Sequence, residues 1–483
     1  MNCCRFAVSS KRVYIGSKQI TSRVDLGKRL PHIVRTELAK HKTLNRAHGQ
    51  WLSDFVGDSR VLSELNKYRD LWTSRQRRAS LCVACKGSRM LCGKIRCPVI
   101  VRVNAFVKSM PLIDALDIHG ASPPSVFVGR IGYPYVYAGP LVPPVHEDTS
   151  HYATPESWFG KTVEEIVGFR SILVRGKHRV NVHRFEEAGK IMELTRELAL
   201  ASTATDVELA LKKRPRGNLA LNDSVEPFGP SAPIKGLNVT CTRWDHHIEK
   251  AFYDTDLKAE PAVLELYKNN VMVTKIQRAF SVGAFGIEEQ RRLVPTRWSI
   301  TAVDSIVSKE LMRRVRTFPV INEYRIYESS YLDNQFEVLM IPDSWGYEAI
   351  EAWYPGTVWN PFSENVIMYG DWEGYNGRTT YASIGGCYYA ARVATCERLT
   401  DERRQARVIV LREARPGYIM PVGVWQVREN VRNAMRQKPL KFNTLEEALH
   451  RLSTQFHIPL KHWIARSNLI TKAKTQRKIT QYT

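Results

Sequence analysis

The pattern of apolar and polar residues predicts strands in both halves of the chain. The apolar triplet at 126–128 follows two prolines that disfavour a helix, which predicts a short strand. Apolar and polar residues alternate over 324–327 and 336–341, with Asp333-Asn334 between them, and this predicts a β-hairpin. The apolar run at 408–411 predicts a buried strand, whereas the run at 99–103 fits either a strand or a helix.

Apolar residues at helical spacing predict several helices among these strands. The predicted helices cover residues 186–202, 261–268, 345–353, 388–394 and 424–435, and another follows Thr301 as its N-cap. Thr205 and Glu208 have the spacing of a capping box, which predicts one more helix start. Prolines and glycines between residues 212 and 236 predict a loop or linker. Because no regular βαβ alternation is present, the predicted fold class is α+β, or mixed α/β.

Composition and charge reduce the range of possible functions. The 483 residues are 43% hydrophobic and 25% charged, which is typical of a folded protein with two or three domains. No apolar run approaches the roughly 20 residues that span a bilayer, so we expect a cytoplasmic protein and no membrane. The net charge of +23 indicates a polyanion-binding protein. A general basic bias or binding to a membrane surface stays open, but the aromatic residues within the basic runs favour nucleic acid.

Four of the nine cysteines fall within sixteen residues, at Cys82, Cys85, Cys92 and Cys97. The first pair has the CxxC spacing with which two thiolates hold one tetrahedral ion. Four thiolates leave no position for a reacting water, so the predicted Zn²⁺ is structural. Four reduced cysteines and two disulfides are the alternatives. The prediction adds a four-cysteine zinc-finger-like module to the N-terminal part of the α+β fold.

Cations near these cysteines are candidate contacts to phosphate. A glycine-containing loop farther along the chain adds one more arginine, next to backbone N–H groups that could hold an anion. The phosphate or nucleic-acid candidates are Lys86, Arg89, Lys94, Arg96 and Arg130.

Long segments resemble the archaeal Nre family of DNA repair proteins. The similarity lies in the cysteine loop and in residues 122–133, 294–304, 351–353, 377–379 and 421–430. The resemblance as a whole extends from about Cys82 to Met435. The resemblance implies an archaeal, nucleoid-associated protein with N-terminal and C-terminal Nre domains, associated with DNA and with the PCNA sliding clamp. It gives the expected domains as a basic extension at 1–80, the zinc module and N-terminal Nre domain at 81–330, the C-terminal Nre domain at 331–440, and a helical tail at 441–483.

The association with the clamp directs attention to the C-terminus. Clamp-binding peptides combine a glutamine, a branched aliphatic residue three positions later and an aromatic residue after that. Gln476, Ile479 and Tyr482 fit this spacing, and on a 3₁₀ turn they would project from one face. Thr483 stands where such peptides usually carry a second aromatic residue. We therefore expect a clamp-binding peptide that lacks one of its usual anchors.

Charged residues within the family-like segments are candidates for chemistry. Arginines could bind phosphate through paired N–H groups, and carboxylates could act as acid or base. The catalytic candidates are Arg297, Asp304, Arg378, Glu413, Arg428 and Glu429. Two hypotheses follow: a repair factor that binds DNA and is recruited by the clamp, or an enzyme that processes a nucleotide or phosphodiester. Convergence of Arg297, Arg378 and Asp304 on one pocket would favour the enzyme.

Overall fold

The computed structural model describes residues 14–15, 18–19, 85, 88–216, 227–240, 242–361 and 363–475. Contacts within the chain define two units. A small unit includes strands β1 (Tyr14–Ile15) and β2 (Lys18–Gln19), which pair antiparallel, and the turn Arg130–Tyr133. The remaining described residues form the large unit, which contains two six-stranded sheets.

The first sheet has the strand order β3-β7-β8-β6-β5-β4. Only β6 and β8 pair in parallel, and the other neighbours are antiparallel. Its strands are β3 (Asp117–Ser122), β4 (Val126–Val128), β5 (Tyr135–Val142), β6 (Val174–Asn181), β7 (Thr205–Leu211) and β8 (Ser231–Val239). One face is apolar and packs against α1 (Pro98–Ile113) and α3 (Lys190–Leu200), with Val174, Leu209 and Leu198 in the shared core. The other face of this sheet carries polar and aromatic side chains.

The second sheet has the strand order β12-β11-β13-β10-β9-β14, with only β11 and β13 parallel. Its strands are β9 (Tyr324–Tyr331), β10 (Asn334–Ile341), β11 (Gly346–Trp353), β12 (Ile367–Glu373), β13 (Arg407–Ala414) and β14 (Leu440–Phe442). Leu332 and Asp333 both have positive φ, as a two-residue type I′ turn between β9 and β10 requires. The predicted β-hairpin is thus confirmed, with its turn one residue earlier than expected.

Helices cover both faces of the second sheet. On one face, α10 (Leu445–Gln455), α11 (Leu460–Arg466) and α12 (Asn468–Thr475) pack on Leu339, Ile350 and Leu411. On the other face lie α8 (Gly386–Glu402) and α9 (Trp425–Arg436), and α7 (Thr296–Val315) packs behind α8. The second sheet is therefore the middle of three layers, so its central strands are buried on both faces.

Four further helices complete the described part of the fold. They are α2 (Val163–Ser171), α4 (His246–Tyr253), α5 (Ala259–Lys268) and α6 (Val273–Ser281), with 3₁₀ turns at Ser150–Ala153, Pro155–Ser157, Glu186–Ala188 and Glu288–Gln290. Thr444 and Glu447 form a capping box at the start of α10, and Thr162 and Glu165 form another at α2. In the described part of the chain, none of the helices has the length and apolarity needed to cross a membrane.

Three predictions of local structure are wrong for identifiable reasons. Residues 346–353 form strand β11 instead of a helix. This central strand is buried on both faces, so its two glutamates, Glu348 and Glu351, give it no alternation of apolar and polar residues. Thr205 and Glu208 lie in β7, where buried and exposed residues alternate. Thr301 lies inside α7, which begins five residues earlier at Thr296.

Other expectations are confirmed or refined. Residues 99–103 are helical, the strand at 408–411 lies in β13, and the helix at 424–435 corresponds to α9. The predicted loop at 212–236 ends earlier, because β8 begins at Ser231. Mixed α+β architecture is correct for the described residues. The predicted four-cysteine module includes residues outside this description.

Candidate functional site

A buried ionic cluster joins two of the segments that carry the candidate residues. The Arg428 guanidinium on α9 donates from Nη1 to Asp304 Oδ1 on α7 at 2.9 Å, and their side chains are 1% and 0% exposed. Gln277 on α6 donates to the same carboxylate oxygen at 2.9 Å. The side chain of Asp304 therefore has three hydrogen bonds from two partners, including a second contact from Arg428 at 3.3 Å. This arrangement holds α6, α7 and α9 together.

The same guanidinium also faces two further carboxylates. Arg428 lies 3.8 Å from Glu156 and 3.3 Å from Glu429. Burial works against the charge on Arg428, but Asp304 and Glu156 outweigh it and raise the pKa of the guanidinium. Burial likewise opposes the charge on Glu156, yet Arg428 and the Thr274 N–H at 3.0 Å lower the pKa of this carboxyl. One guanidinium thus faces three carboxylates, and burial raises the pKa of the Asp304 carboxyl although Arg428 opposes the change.

Arg432 extends the network by one helical turn. Its guanidinium binds both oxygens of Glu397 at 2.6 and 2.9 Å and also donates to Glu429 at 2.9 Å. The Tyr267 hydroxyl donates to Glu397 at 2.7 Å, and burial, followed by this carboxylate, raises the pKa of the phenol. Glu429 thus lies between two arginines, as a structural acceptor rather than an open general base.

A second buried pair lies on the face of the second sheet that α8 and α9 cover. Arg412 on β13 donates to Glu351 on β11 at 2.7 Å and to Asn334 on β10. The guanidinium carbon lies 4.6 Å from the centre of the Trp353 ring, so an aromatic face covers the ion pair. Burial, and then the nearby Glu351, raise the pKa of the Cys387 thiol, which makes this cysteine a poor nucleophile.

The other catalytic candidates lie apart from these clusters. Arg378 donates to Asp371 at 2.8 Å, and this contact and the Ser383 N–H lower the pKa of that carboxyl, although burial opposes the change. Glu413 accepts hydrogen bonds from Tyr354 and from the Ile458 N–H, and so attaches the segment after α10. Arg297 is exposed on the first turn of α7. The described contacts join Asp304, Arg428 and Glu429, but not Arg297, Arg378 or Glu413.

Two open recesses occur on the described surface. One, of about 360 Å³, is lined by Arg325, Arg398, Glu402, Arg404, Pro439 and Lys441. The other, of about 380 Å³, is lined by His151, Ser157, Trp158, Lys161, Glu165 and Phe169. Neither contains a catalytic candidate, since those side chains are occupied by internal partners or lie elsewhere. Apart from the exposed Arg297, the catalytic candidates have internal partners and hold the fold together in this arrangement.

The described part of the cysteine segment lies beside the loop that follows β11. Cys85 is buried, Cys92 and Cys97 are half-buried, and none of the three is in a disulfide. Gly356 has a φ of +78°, and a side chain there would meet the Cys92 carbonyl at 3.2 Å. Among the described residues, no three cysteine, histidine or acidic side chains gather as a metal site; Cys82 lies outside them.

The phosphate candidates occupy different environments. Lys94 is 3% exposed and donates a hydrogen bond to the Ile419 carbonyl at 3.0 Å, so it is a buried structural residue. Arg96 pairs with Glu164 at 2.7 Å on the surface, and Arg89 is exposed. Arg130 belongs to the turn of the small unit. Lys86 lies outside the described residues, as do the tail residues Gln476, Ile479 and Tyr482.

Sequence reasoning missed several residues of these networks. Glu156 and Gln277 contact the Arg428 pair from 3₁₀ and helical segments that carry no recognisable motif. Arg392 and Glu373 form a further buried pair at 2.6 Å. The alternation of tyrosine and cationic residues on β5 and β6 was also missed, although the sequence shows it once the strands are placed.

The fold defines an α+β protein with two mixed sheets, in which buried ion pairs connect the helices of the second. The chain belongs to the archaeal Nre family. The family model described as Archaeal Nre, N-terminal, matches residues 91–360, and that described as Archaeal Nre, C-terminal, matches residues 373–482. No solved structure matches the chain.

Three relatives named as DNA repair proteins match most of the chain. DNA repair protein NreB of Archaeoglobus fulgidus is 40% identical over 402 residues, which are 83% of this chain and 99% of that protein. DNA repair protein NreA of the same organism is 35% identical over 80% of this chain and 95% of its own length. DNA repair protein NreA of Haloferax volcanii is 33% identical over 71% of this chain and 84% of its own length.

Proposed function

We propose that this chain is a DNA repair factor that binds DNA and is recruited by the PCNA sliding clamp through its C-terminal peptide. The observation that carries the proposal is its similarity over most of its length to three proteins named DNA repair proteins. The net charge of +23 supports a polyanionic partner. Such a factor would act in the archaeal cytoplasm, at the nucleoid.

The structure supports the recruitment hypothesis through the helix that precedes the tail. Buried Glu348 accepts hydrogen bonds from the N–H groups of Asn468 and Leu469 at 2.8 and 3.0 Å, and from the Ser467 hydroxyl. A carboxylate at this position satisfies the first N–H groups of α12 and interacts favourably with its dipole. Ile470 on the same helix is fully buried. Helix α12 is thus attached to the body just before Gln476, where the proposed clamp-binding peptide begins.

The tail can be tested by clamp pull-down with the full chain. Replacing Gln476, Ile479 and Tyr482 together by alanine should abolish capture, because the aliphatic and aromatic side chains would fill the clamp pocket. The matched control replaces Arg477, Lys478 and Thr480, which lie between them, and should retain most of the binding. Equal capture of both triple variants would contradict recruitment through this peptide.

The proposed zinc has its own test. We expect one zinc ion per chain by metal analysis, and its loss in Cys82→Ser, because a tetrahedral site needs all four thiolates. Cys3→Ser should retain the ion, since Cys3 lies outside the ligand spacing. Wild-type protein that is stable without metal would contradict the zinc hypothesis.

DNA binding should also depend on salt. If phosphate contacts dominate, the affinity falls steeply as the salt concentration rises. The internal pairing of Asp304, Arg378 and Arg428 favours a binding factor over the alternative enzyme. Affinity that does not change between low and physiological salt would contradict an electrostatic mode of binding.

A further inference from the structure

The polar face of the first sheet carries aromatic and cationic side chains in register. In the antiparallel pairing of β5 and β6, Tyr137 is opposite Arg179 and Tyr135 is opposite Asn181. Directly paired residues share one face of a sheet, and alternate residues return to it. Tyr135 and Tyr137 therefore lie on the same face as Arg175, Lys177 and Arg179, the face opposite to the apolar core. We call these five residues the tyrosine–cation surface.

The tyrosines of this surface are open to solvent and lie beside the cations. Tyr135 is 54% exposed and Tyr137 is 48% exposed, at the first and third positions of β5. The Arg179 guanidinium carbon lies 5.8 Å from the centre of the Tyr135 ring, and Lys177 Nζ lies 6.0 Å from that of Tyr137. Each exposed ring thus has a positive charge within cation–π distance.

Arg175 continues the surface toward the neighbouring strand. Its guanidinium carbon lies 5.0 Å from the Phe127 ring on β4 and 4.0 Å from the Phe228 ring. Its Nε is buried without a hydrogen-bond partner. Burial, and then repulsion from Arg170, lower the pKa of this guanidinium to about 10. Aromatic rings, rather than a carboxylate, surround this charge.

The three cations lack acidic partners in the part of the chain that the structure describes: no ion pair there involves Arg175, Lys177 or Arg179. Lys177 is also close to other cations, since burial, followed by repulsion from Arg175 and Lys213, lowers the pKa of its ammonium group. The acidic residues Asp206 and Glu208 on β7 and Asp117 on β3 share this sheet face, but β8 separates their strands from β6. The positive potential is therefore concentrated on β5 and β6.

We propose that the tyrosine–cation surface binds single-stranded DNA, with bases stacked on Tyr135 and Tyr137 and phosphates next to Lys177 and Arg179. This inference rests on the proposed function, because it specifies which form of DNA the repair factor binds. Exposed aromatic rings on a sheet accept any base, and adjacent cations follow the backbone of the strand. A duplex keeps its base faces inside the helical stack, so it cannot use these rings.

Fluorescence anisotropy with a labelled oligo-dT and a duplex of equal length tests the surface in the full chain. Tyr135→Ala/Tyr137→Ala should weaken single-strand binding about ten-fold or more for each ring, and should leave duplex affinity nearly unchanged. Tyr135→Phe/Tyr137→Phe retains both rings and should bind as wild type. Lys177→Ala/Arg179→Ala should weaken binding and reduce the slope of log affinity against log salt by about 1.4, as expected for two lost phosphate contacts.

Matched control variants distinguish a loss of binding at this surface from a general effect of removing an aromatic ring or positive charges. Tyr375 is 47% exposed and lies 5.2 Å from Arg316, so Tyr375→Ala removes a similar ring elsewhere. Lys438→Ala/Lys461→Ala removes two exposed positive charges. Both controls should retain wild-type single-strand affinity, and melting followed by circular dichroism should show every variant folded.

The outcomes distinguish this inference from the proposed function. If the wild-type chain binds DNA and the surface variants weaken this binding no more than the control variants do, the tyrosine–cation surface is not the binding site. The proposed function would then stand. Binding to duplex but not to oligo-dT would also overturn the surface, while DNA binding would stand. Absence of binding to either DNA would overturn the DNA-binding part of the proposed function as well. A ten-fold preference for oligo-U would assign the surface to RNA and overturn the DNA assignment.

Discussion

Replacing Arg428 by methionine should reduce the free energy of unfolding by about 3–5 kcal/mol, the usual cost of removing one partner from a buried ion pair. The structure indicates that most of this loss of stability arises at Asp304, because the other two carboxylates keep a partner. Glu156 would keep its hydrogen bond from the Thr274 N–H, and Glu429 would keep Arg432. Asp304, which is fully buried, would keep only Gln277.

A second substitution tests this explanation. Arg428→Met/Asp304→Leu removes both charges, so it should recover most of the lost stability, although each single variant is strongly destabilised. Arg297→Met is the matched control, because it removes an exposed arginine from the first turn of α7 and should change stability by less than about 0.5 kcal/mol. Denaturant unfolding at constant m-value gives the comparison.

The same variants also test whether Arg428 has a direct role in binding. Under conditions in which Arg428→Met remains folded, its affinities for DNA and for the clamp should equal those of wild type. An Arg428→Met protein as stable as wild type would refute the structural explanation. A folded variant with normal stability and lost DNA affinity would instead assign Arg428 to the functional surface.

Two further predictions concern buried carboxyls. Burial, and then the facing Glu328, raise the pKa of Glu337 to about 8. The folded state therefore keeps a proton that the unfolded state has lost, so the free energy of unfolding should fall from about pH 5 to 8, by up to about 1.4 kcal/mol per pH unit. Glu337→Gln should flatten this dependence in denaturant titrations; an unchanged slope would contradict it. Glu348→Ala should release α12, seen as faster amide exchange over 468–475, and weaken clamp capture, whereas exchange equal to wild type would show that Glu348 does not hold the helix.

Local signals in the sequence were sufficient for much of the fold. The β9–β10 hairpin and helix α9 have apolar patterns with a recognisable period, and β13 contains a continuous apolar run. Strand β11 is buried on both faces like β13, but two of its buried residues are glutamates, which interrupt its apolar run. Their partners, Ser467 and Asn468 for Glu348 and Arg412 for Glu351, come from distant segments. A buried charge can be recognised only when its partner is known.

The buried ion-pair clusters also could not be predicted from local sequence patterns. Arg428 and Asp304 were both singled out from the sequence, but they are 124 positions apart, and no local pattern predicts that they pair. Sequence also does not separate an arginine that supports the core from one that faces solvent. Arg297 and Arg428 lie in equally prominent segments, yet one is exposed and the other is fully buried.

The partners of each cation provide a physical criterion for that separation. Arg392, Arg412 and Arg428 each have a carboxylate within 2.6–2.9 Å, so their charge is neutralised inside the molecule. A phosphate could recruit such an arginine only by leaving a carboxylate buried and unpaired, which costs several kcal/mol. Lys177 and Arg179 have aromatic neighbours instead of carboxylates, so an incoming phosphate displaces no internal partner. On energetic grounds, DNA should therefore bind the cations of the first sheet and leave the ion pairs of the second intact.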